Sequence, residues 1–121
     1  MNVLDTSIWI DYLAQAKYVA YVEKPHYISS MCIAELIDVA LRKGIDVDAL
    51  LEFVKSKSII VPVDVGIAKN ASYAKQKYRT TANTFGLVDG IHLSTADKKN
   101  SMLITRDKDF LGIANVIVIK T

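Results

Sequence analysis

The 121-residue sequence is poor in the residues that punctuate or cross-link a chain. Its one cysteine, Cys32, cannot form an internal disulfide, and the apolar segment around it (MCIAEL) indicates a small buried side chain. Only two prolines and five glycines are present, which favours long elements and few loops. Because 51% of the residues are hydrophobic, the chain can bury a sizeable core. We therefore expect a single folded domain over residues 1–121.

Long apolar runs and a strong net charge are also lacking. No uninterrupted apolar segment approaches the roughly 18 residues of a membrane span. The N-terminal segment is broken by Asp5 and Asp11 and lacks the basic start of a targeting sequence. The formal net charge of +2 does not demand a nucleic-acid partner, although a basic patch can exist on a near-neutral protein. We expect a cytoplasmic protein with no membrane segment.

Short apolar runs alternate with helical patterns along the whole chain. The predicted strands are residues 1–4, 26–29, 58–63, 102–105 and 116–119. The predicted helices are about residues 7–13, 30–43, 46–57, 64–79, 87–99 and 108–113. The strands are nearly all apolar, as expected when both faces of a sheet are covered, and Pro62 makes the third strand a poor central one. The pattern predicts a three-layer α/β sandwich with a mainly parallel sheet of about four to five strands.

Four carboxylates fall where the predicted strands end. Asp5 directly follows the first strand, and Asp107 follows the fourth after a single residue. Asp89 lies in the first turn of its helix, and Glu35 lies within two turns of the start of the helix after the second strand. In open parallel sheets, ligands bind outside the carboxyl ends of the strands, where the following helices also begin. Clustered carboxylates repel each other unless a cation is present. Since Mg²⁺ and Mn²⁺ prefer oxygen ligands, the pattern indicates a divalent-metal site suited to phosphodiester hydrolysis.

Each acid also has a purely structural interpretation. Asp5 can cap the first helix, and Asp89 can be a favourable charge in a first helical turn. Either Asp107 or Asp109 can cap the short helix after the fourth strand. The apolar face of the second helix consists of Ile33, Leu36, Ile37 and Ala40. Because Glu35 points nearly opposite to that face, helical periodicity alone favours a solvated side chain for it.

Four segments carry a family resemblance, and they are NVLDTSIWIDYL, SSMCIAELIDVA, LVDGIHLSTAD and LITRDKDF. In this order they resemble the motifs of the PIN-domain family, and within it the small virulence-associated protein C toxins of toxin–antitoxin operons. The resemblance covers essentially the full length. It implies that the metal-binding catalytic residues are Asp5, Glu35, Asp89 and Asp107.

The resemblance also implies auxiliary residues and partners. Thr6 stands beside the first acid and Thr105 just before the fourth, while we expect Asp109 to act mainly through the start of the short helix. The family implies an endoribonuclease that depends on Mg²⁺ or Mn²⁺, is often dimeric and is held inactive by a cognate antitoxin. His92 lies one helical turn after Asp89. Because the family's third motif often carries histidine there without a required catalytic role, we expect His92 to pack rather than react.

A basic helix is a candidate surface for RNA. Its residues are Lys69, Lys75, Lys77 and Arg79, with Tyr73 and Tyr78 among them. Phosphates give most of the non-specific affinity of nucleic acids, and tyrosines can stack on unpaired bases. A solvated basic face with no partner is an equally good interpretation.

Other classes of protein share parts of this pattern. A phosphoacceptor receiver domain has a similar length and layered build, but it normally shows paired acids after the first strand, and Asp5 is followed by Thr6, Ser7 and Ile8. A non-catalytic PIN module that binds RNA or protein is disfavoured by the complete set of four acids. A dinucleotide-binding domain has no support, since no glycine-rich loop follows the first strand.

Overall fold

The computed structural model describes residues 1–120 and contains a five-stranded, all-parallel sheet. The strands are β1 (Val3–Leu4), β2 (His26–Ser29), β3 (Ser58–Val61), β4 (Leu103–Thr105) and β5 (Val116–Val118). Their spatial order is β3-β2-β1-β4-β5, with Val3 of β1 in register with Tyr27 on one side and Leu103 on the other. The order reverses between β1 and β4, and ligands of open α/β sheets bind at such a reversal. A receiver domain has the order 2-1-3-4-5, so this sheet has a different topology.

Six helices and one 3₁₀ turn connect the strands in the described part of the chain. They are α1 (Thr6–Gln15), α2 (Val19–Val22), α3 (Ser30–Lys43), α4 (Val47–Lys57), α5 (Val65–Tyr78), α6 (Leu87–Lys98) and the turn Lys108–Phe110. Side-chain caps stabilise the N-termini of several helices. Ser29 accepts the N–H of Met31 at 3.1 Å at the start of α3, and Asp64 accepts the N–H of Ile67 at 2.8 Å at the start of α5. Gly44 ends α3 in the left-handed region, at φ 70°. Between residues 1 and 120 no helix combines the length and apolarity needed to cross a bilayer.

The sheet separates two apolar cores, which confirms the predicted three-layer α/β sandwich. Leu4, Ile28 and Ile104 face one core, which is filled by residues of α1–α4. The alternate residues Val3 and Leu103 face the other core, where α5, α6 and the 3₁₀ turn pack. Alternation along the strands therefore buries both faces of β1 and β4. Cys32 lies in the first core, and burial raises the pKa of its thiol, so it is the buried side chain that the sequence predicted.

Two local predictions need correction. The structure has a short helix, α2, that the sequence did not predict; Tyr18, just before it, has the left-handed φ of 61°. The helix predicted over residues 108–113 is only the single 3₁₀ turn Lys108–Phe110. The prediction for Pro62 is confirmed, because β3 is an edge strand and ends at Val61.

Candidate active site

Asp5 is fixed at the carboxyl end of the central strand β1. Its Oδ1 accepts the backbone N–H of Ser7 at 3.0 Å and the Ser7 hydroxyl at 2.5 Å, so it caps α1. Its Oδ2 accepts the hydroxyl of Thr105 from the neighbouring strand β4. Burial raises the pKa of Asp5, although the hydrogen bonds from Ser7 and Thr105 act in the opposite direction. The carboxylate therefore caps a helix and is also a buried charge where β1 and β4 end.

Asp89, Asp107 and Asp109 form a three-carboxylate cluster, in which one oxygen from each residue lies within 4.8 Å of the other two. Thr105 connects this cluster to Asp5, because its hydroxyl also accepts the N–H of Asp107 at 3.0 Å. Burial raises the pKa of Asp89, and the charges of Asp107 and Asp109 raise it further. A divalent cation would relieve this repulsion, and carboxylate oxygens are ligands that Mg²⁺ and Mn²⁺ favour. The donor set therefore fits the expected cation.

Local hydrogen bonds hold each member of the cluster. Asp89 Oδ2 accepts the N–H of Gly86 at 2.7 Å, three residues before it. Asp107 caps the 3₁₀ turn, where its Oδ1 accepts the N–H of Asp109 at 2.9 Å. Of the two alternative caps, the structure thus selects Asp107. Asp109 instead faces Asp89 and Asp107 and accepts the hydroxyl of Thr84.

Glu35 approaches this end of the sheet from α3 but lies outside the three-carboxylate cluster. Its Oε1 accepts the hydroxyl of Thr6 at 2.5 Å and lies 3.2 Å from Nε2 of His92. Burial alone would raise the pKa of Glu35, but the hydrogen bonds from His92 and Thr6 outweigh it and lower the pKa. The carboxylate is therefore held in its ionised form.

The expectation that helical periodicity places Glu35 in solvent is wrong. The buried stripe of α3 is Cys32, Leu36 and Ala40, whereas Ile33 and Ile37 are only half-buried. Glu35 borders that stripe and faces α6, so its side chain is only 33% exposed. Because Ile33 and Ile37 were counted as part of the apolar face, the sequence placed the centre of that face on the wrong side of Cys32, Leu36 and Ala40.

Sequence reasoning missed three side chains that hold the acids. Ser7 donates to Asp5 and accepts the N–H of Arg106 at 3.2 Å, which links α1 to the segment after β4. Thr84 lies in a polar loop with no distinguishing pattern, yet it reaches Asp109. His92 was expected only to pack, but its Nε2 faces Glu35. Ser7 could have been found as a polar residue in the first turn of a capped helix.

Two surfaces of the described chain carry basic side chains. On α5, the ammonium groups of Lys69 and Lys77 lie 5.9 Å and 5.2 Å from the ring centres of Tyr73 and Tyr78. Arg79 is partly committed elsewhere, since its Nε donates to the carbonyl of Phe85 at 2.6 Å and anchors the loop that leads to Asp89. The second surface, which we call the β5 groove, was not predicted. It is lined by Arg106, Lys108, Leu111, Val118, Ile119 and Lys120.

The fold and these contacts define a class of protein, the parallel α/β proteins that gather carboxylates where the strand order reverses. The family model described as PIN domain matches residues 3–116, and the chain belongs to this family. The family resemblance of the four sequence segments is thereby confirmed. A comparison with curated proteins gives no match.

Solved structures share the fold over nearly the whole chain. A toxin–antitoxin complex from Klebsiella pneumoniae contains a chain that is 27% identical, with a TM-score of 0.78 and coverage of 98% of this chain and 97% of that one. A DNA-bound VapBC from Salmonella typhimurium is 18% identical, with a TM-score of 0.74 and coverage of 98% of both chains. FitAcB from Neisseria gonorrhoeae is 23% identical, with a TM-score of 0.68 and coverage of 99% of this chain and 97% of that one.

Proposed function

We propose that the chain is a divalent-metal-dependent endoribonuclease, the toxin of a toxin–antitoxin pair, that acts in the cytoplasm. The observation that carries the proposal is the three-carboxylate cluster in a PIN domain, at the edge where β1 and β4 end. The likeness to a chain of the Klebsiella pneumoniae toxin–antitoxin complex supports the toxin assignment.

The proposal assigns the acids to Mg²⁺ or Mn²⁺. Asp89, Asp107 and Asp109 provide the clustered oxygens, and Asp5 and Glu35 complete the set of acids that we propose as catalytic. When bound, the cation supplies an activated water and stabilises the charge that develops on the phosphate. The protein's own contribution is to hold carboxylates in place with hydroxyl donors, Thr105 for Asp5 and Thr6 for Glu35.

An antitoxin partner is part of the proposal, and the surface offers an apolar groove of about 150 Å³ for it. The groove is lined by Ile10, Leu13, Ala14, Leu36, Val39, Ala40, Lys43, Ile45 and Leu50. Leu13 and Ile45 remain 44% and 49% exposed, so the groove presents apolar surface to solvent. We propose that an antitoxin segment covers them.

The homodimer expected from the family also remains a proposal, and Ile59, Ile60 and Val65 leave further exposed apolar surface beside β3.

A non-catalytic PIN module is the remaining alternative. It would have no need for acids whose ionised forms the fold disfavours, and burial raises the pKa of both Asp5 and Asp89. Costly buried charges of this kind concentrate at functional sites, so the proposal favours catalysis.

The test is to sequence RNA ends after controlled expression of the wild type and of Asp5→Asn. We expect new RNA ends with the wild type and their loss in the variant, together with a fall in cleavage by the purified protein of about 100-fold or more. Asparagine keeps the shape and a cap oxygen of Asp5 but removes the charge.

The matched control is Asp48→Asn, which removes an exposed carboxylate from α4, outside the candidate site. This variant should cleave like the wild type. If the folded wild type gives no new ends and no cleavage with Mg²⁺ or Mn²⁺, the proposed function is wrong.

A further inference from the structure

His92 and Thr6 both contact the same oxygen of Glu35. The Thr6 hydroxyl donates to Oε1 at 2.5 Å, and Nε2 of His92 lies 3.2 Å from that oxygen. No donor within residues 1–120 bonds to Oε2. The carboxylate is therefore asymmetric, with one oxygen occupied by protein donors and the other not.

The contact joins three helices from both layers of the fold. Thr6 begins α1, Glu35 lies in the second turn of α3, and His92 lies in the second turn of α6. Thr6 and His92 are 8% and 3% exposed, so their donors cannot exchange freely with water. These two buried donors therefore hold Oε1 in a fixed position, although the Glu35 side chain itself is 33% exposed.

The surroundings of the imidazole ring determine which nitrogen carries the proton. Glu35 offers only acceptors, so Nε2 must bear a hydrogen to bond with it. Nδ1 is buried and has no hydrogen-bond partner in the described part of the chain. The contact with Glu35 is therefore made through a hydrogen on Nε2.

We infer that His92 is a positioning residue for Glu35: with Thr6, it holds Oε1 and leaves Oε2 as the oxygen available to the cation. This inference rests on the proposed function, because it takes Glu35 as one of the acids of the metal site. It replaces the packing role that the sequence suggested for this histidine. Donors of this kind orient the ligands of many metal sites, and their loss weakens metal affinity.

Two pairs of substitutions separate hydrogen bonding from packing. The amide nitrogen of His92→Gln is placed as far along the side chain as Nε2, whereas that of His92→Asn stops at the position of Nδ1. Thr6→Val removes the hydroxyl and keeps the shape, and Thr6→Ser keeps the hydroxyl. Circular dichroism and thermal melts of the metal-free variants verify that each one folds.

The measurement is Mn²⁺ binding to the purified full-length chain, followed by the electron paramagnetic resonance signal of free Mn²⁺. We expect His92→Asn and Thr6→Val to weaken binding about 10- to 100-fold, while His92→Gln and Thr6→Ser stay close to the wild type. In cleavage assays, the two weak binders should need more Mn²⁺ for half-maximal rate but recover most of kcat at saturation.

Wild-type Mn²⁺ affinity in His92→Asn would overturn the inference, as would equal losses in His92→Asn and His92→Gln, because equal losses indicate packing alone. Asp89→Asn distinguishes this failure from failure of the proposed function. If the wild type and Asp89→Asn both fail to bind Mn²⁺, the proposed metal site itself is wrong.

Discussion

At the scale of single residues, the acids of the site have opposite electrostatic settings. Burial raises the pKa of Asp5 and of Asp89, whereas the donors around Glu35 lower its pKa. A carboxyl group whose pKa is raised on folding stabilises the fold at low pH, and that contribution is lost as the pH rises through the folded-state pKa. The raised pKa values of Asp5 and Asp89 therefore make the metal-free protein less stable at neutral pH than at acidic pH. Glu35 acts in the opposite sense, since its contribution is lost as the pH falls.

Asp89→Asn should be more stable than the wild type without metal and less stable than the wild type with metal. The amide can still accept the N–H of Gly86, but the repulsion with Asp107 and Asp109 is gone. In a chelator at pH 7 we expect the variant to be more stable by roughly 0.5–1 kcal/mol, the size of a partly screened charge pair. In Mn²⁺ the wild type should be the more stable, because a ligand that binds the native state stabilises it. Denaturant unfolding under both conditions measures the reversal.

Asp48→Asn, on exposed α4 surface, should show the same difference from the wild type in chelator and in Mn²⁺. At pH 3 the wild-type carboxyl group is protonated, so the stability gain of Asp89→Asn in chelator should disappear. A gain that persists at pH 3 would contradict the explanation by charge repulsion. If Mn²⁺ stabilises Asp89→Asn as much as the wild type, Asp89 does not bind the cation.

At the scale of elements, α5 and α6 are in close backbone contact at Gly90. A Cβ at this position would lie 2.4 Å from the carbonyl oxygen of Ala71 and 3.0 Å from its carbonyl carbon. These are backbone atoms of α5, so they cannot move aside without shifting the helix. Because Gly90 follows Asp89 directly, the same shift would displace a carboxylate of the cluster.

Gly90→Ala should therefore lower the free energy of unfolding by at least about 2 kcal/mol, through overpacking of the two helices. Gly66→Ala is the matched control, since its added Cβ would meet only the Asp64 side chain, at 3.4 Å. The control should be neutral or gain about 0.4–1 kcal/mol from reduced flexibility of the unfolded chain. Urea unfolding of both variants compares them, and equal stabilities would contradict the close approach.

The sequence predicted the elements best where a side chain marks a boundary. The helix predicted over residues 30–43 is capped by Ser29 and ends at Gly44, and the helix predicted from residue 64 is capped by Asp64. The sequence did not predict the features that depend on tertiary contacts. Four residues make α2, too few for a periodic pattern, and the orientation of α3 depends on which stripe the sheet and α6 cover.

The site shows the same limit. The acids follow predicted strands, and the carboxyl ends of parallel strands lie at one edge of a sheet. The sequence therefore predicted that the acids gather at that edge. Which carboxylates approach one another depends on loops: the turn after Asp107 and the loop holding Thr84 bring Asp109 beside Asp89. Neither loop has a periodicity that could reveal its path.

At the scale of the whole molecule, a formal charge of +2 conceals an uneven distribution. Acidic side chains gather in the cluster, while basic side chains lie along α5 and in the β5 groove. The groove also presents apolar surface, including Leu111, which is 57% exposed. The groove is therefore a candidate surface for RNA, since phosphates attract its ammonium groups.

We predict that Lys108→Gln with Lys120→Gln weakens RNA binding in an Asp5→Asn background, where cleavage is prevented. Each lost phosphate contact should reduce the slope of log affinity against log salt by about 0.7 for single-stranded RNA. Fluorescence anisotropy over a range of salt concentrations measures it. Lys17→Gln with Lys55→Gln removes the same charge from exposed sites on the α1–α4 side and should leave the slope unchanged. If the two double variants show the same slope of log affinity against log salt, the β5 groove is not an RNA surface.

The hydrogen bond from Thr105 to Asp5 joins residues that lie 100 positions apart in the chain. During synthesis, Asp5 is therefore made long before the strand that supplies its partner. An unfinished product that ends before β4 contains Asp5, Glu35 and Asp89 but neither Thr105 nor Asp107, so it has no complete site. Contacts between distant segments also form late in folding, because the intervening chain must first be ordered. The acids of the candidate site are thus brought together only after β4 and the turn that follows it have been made.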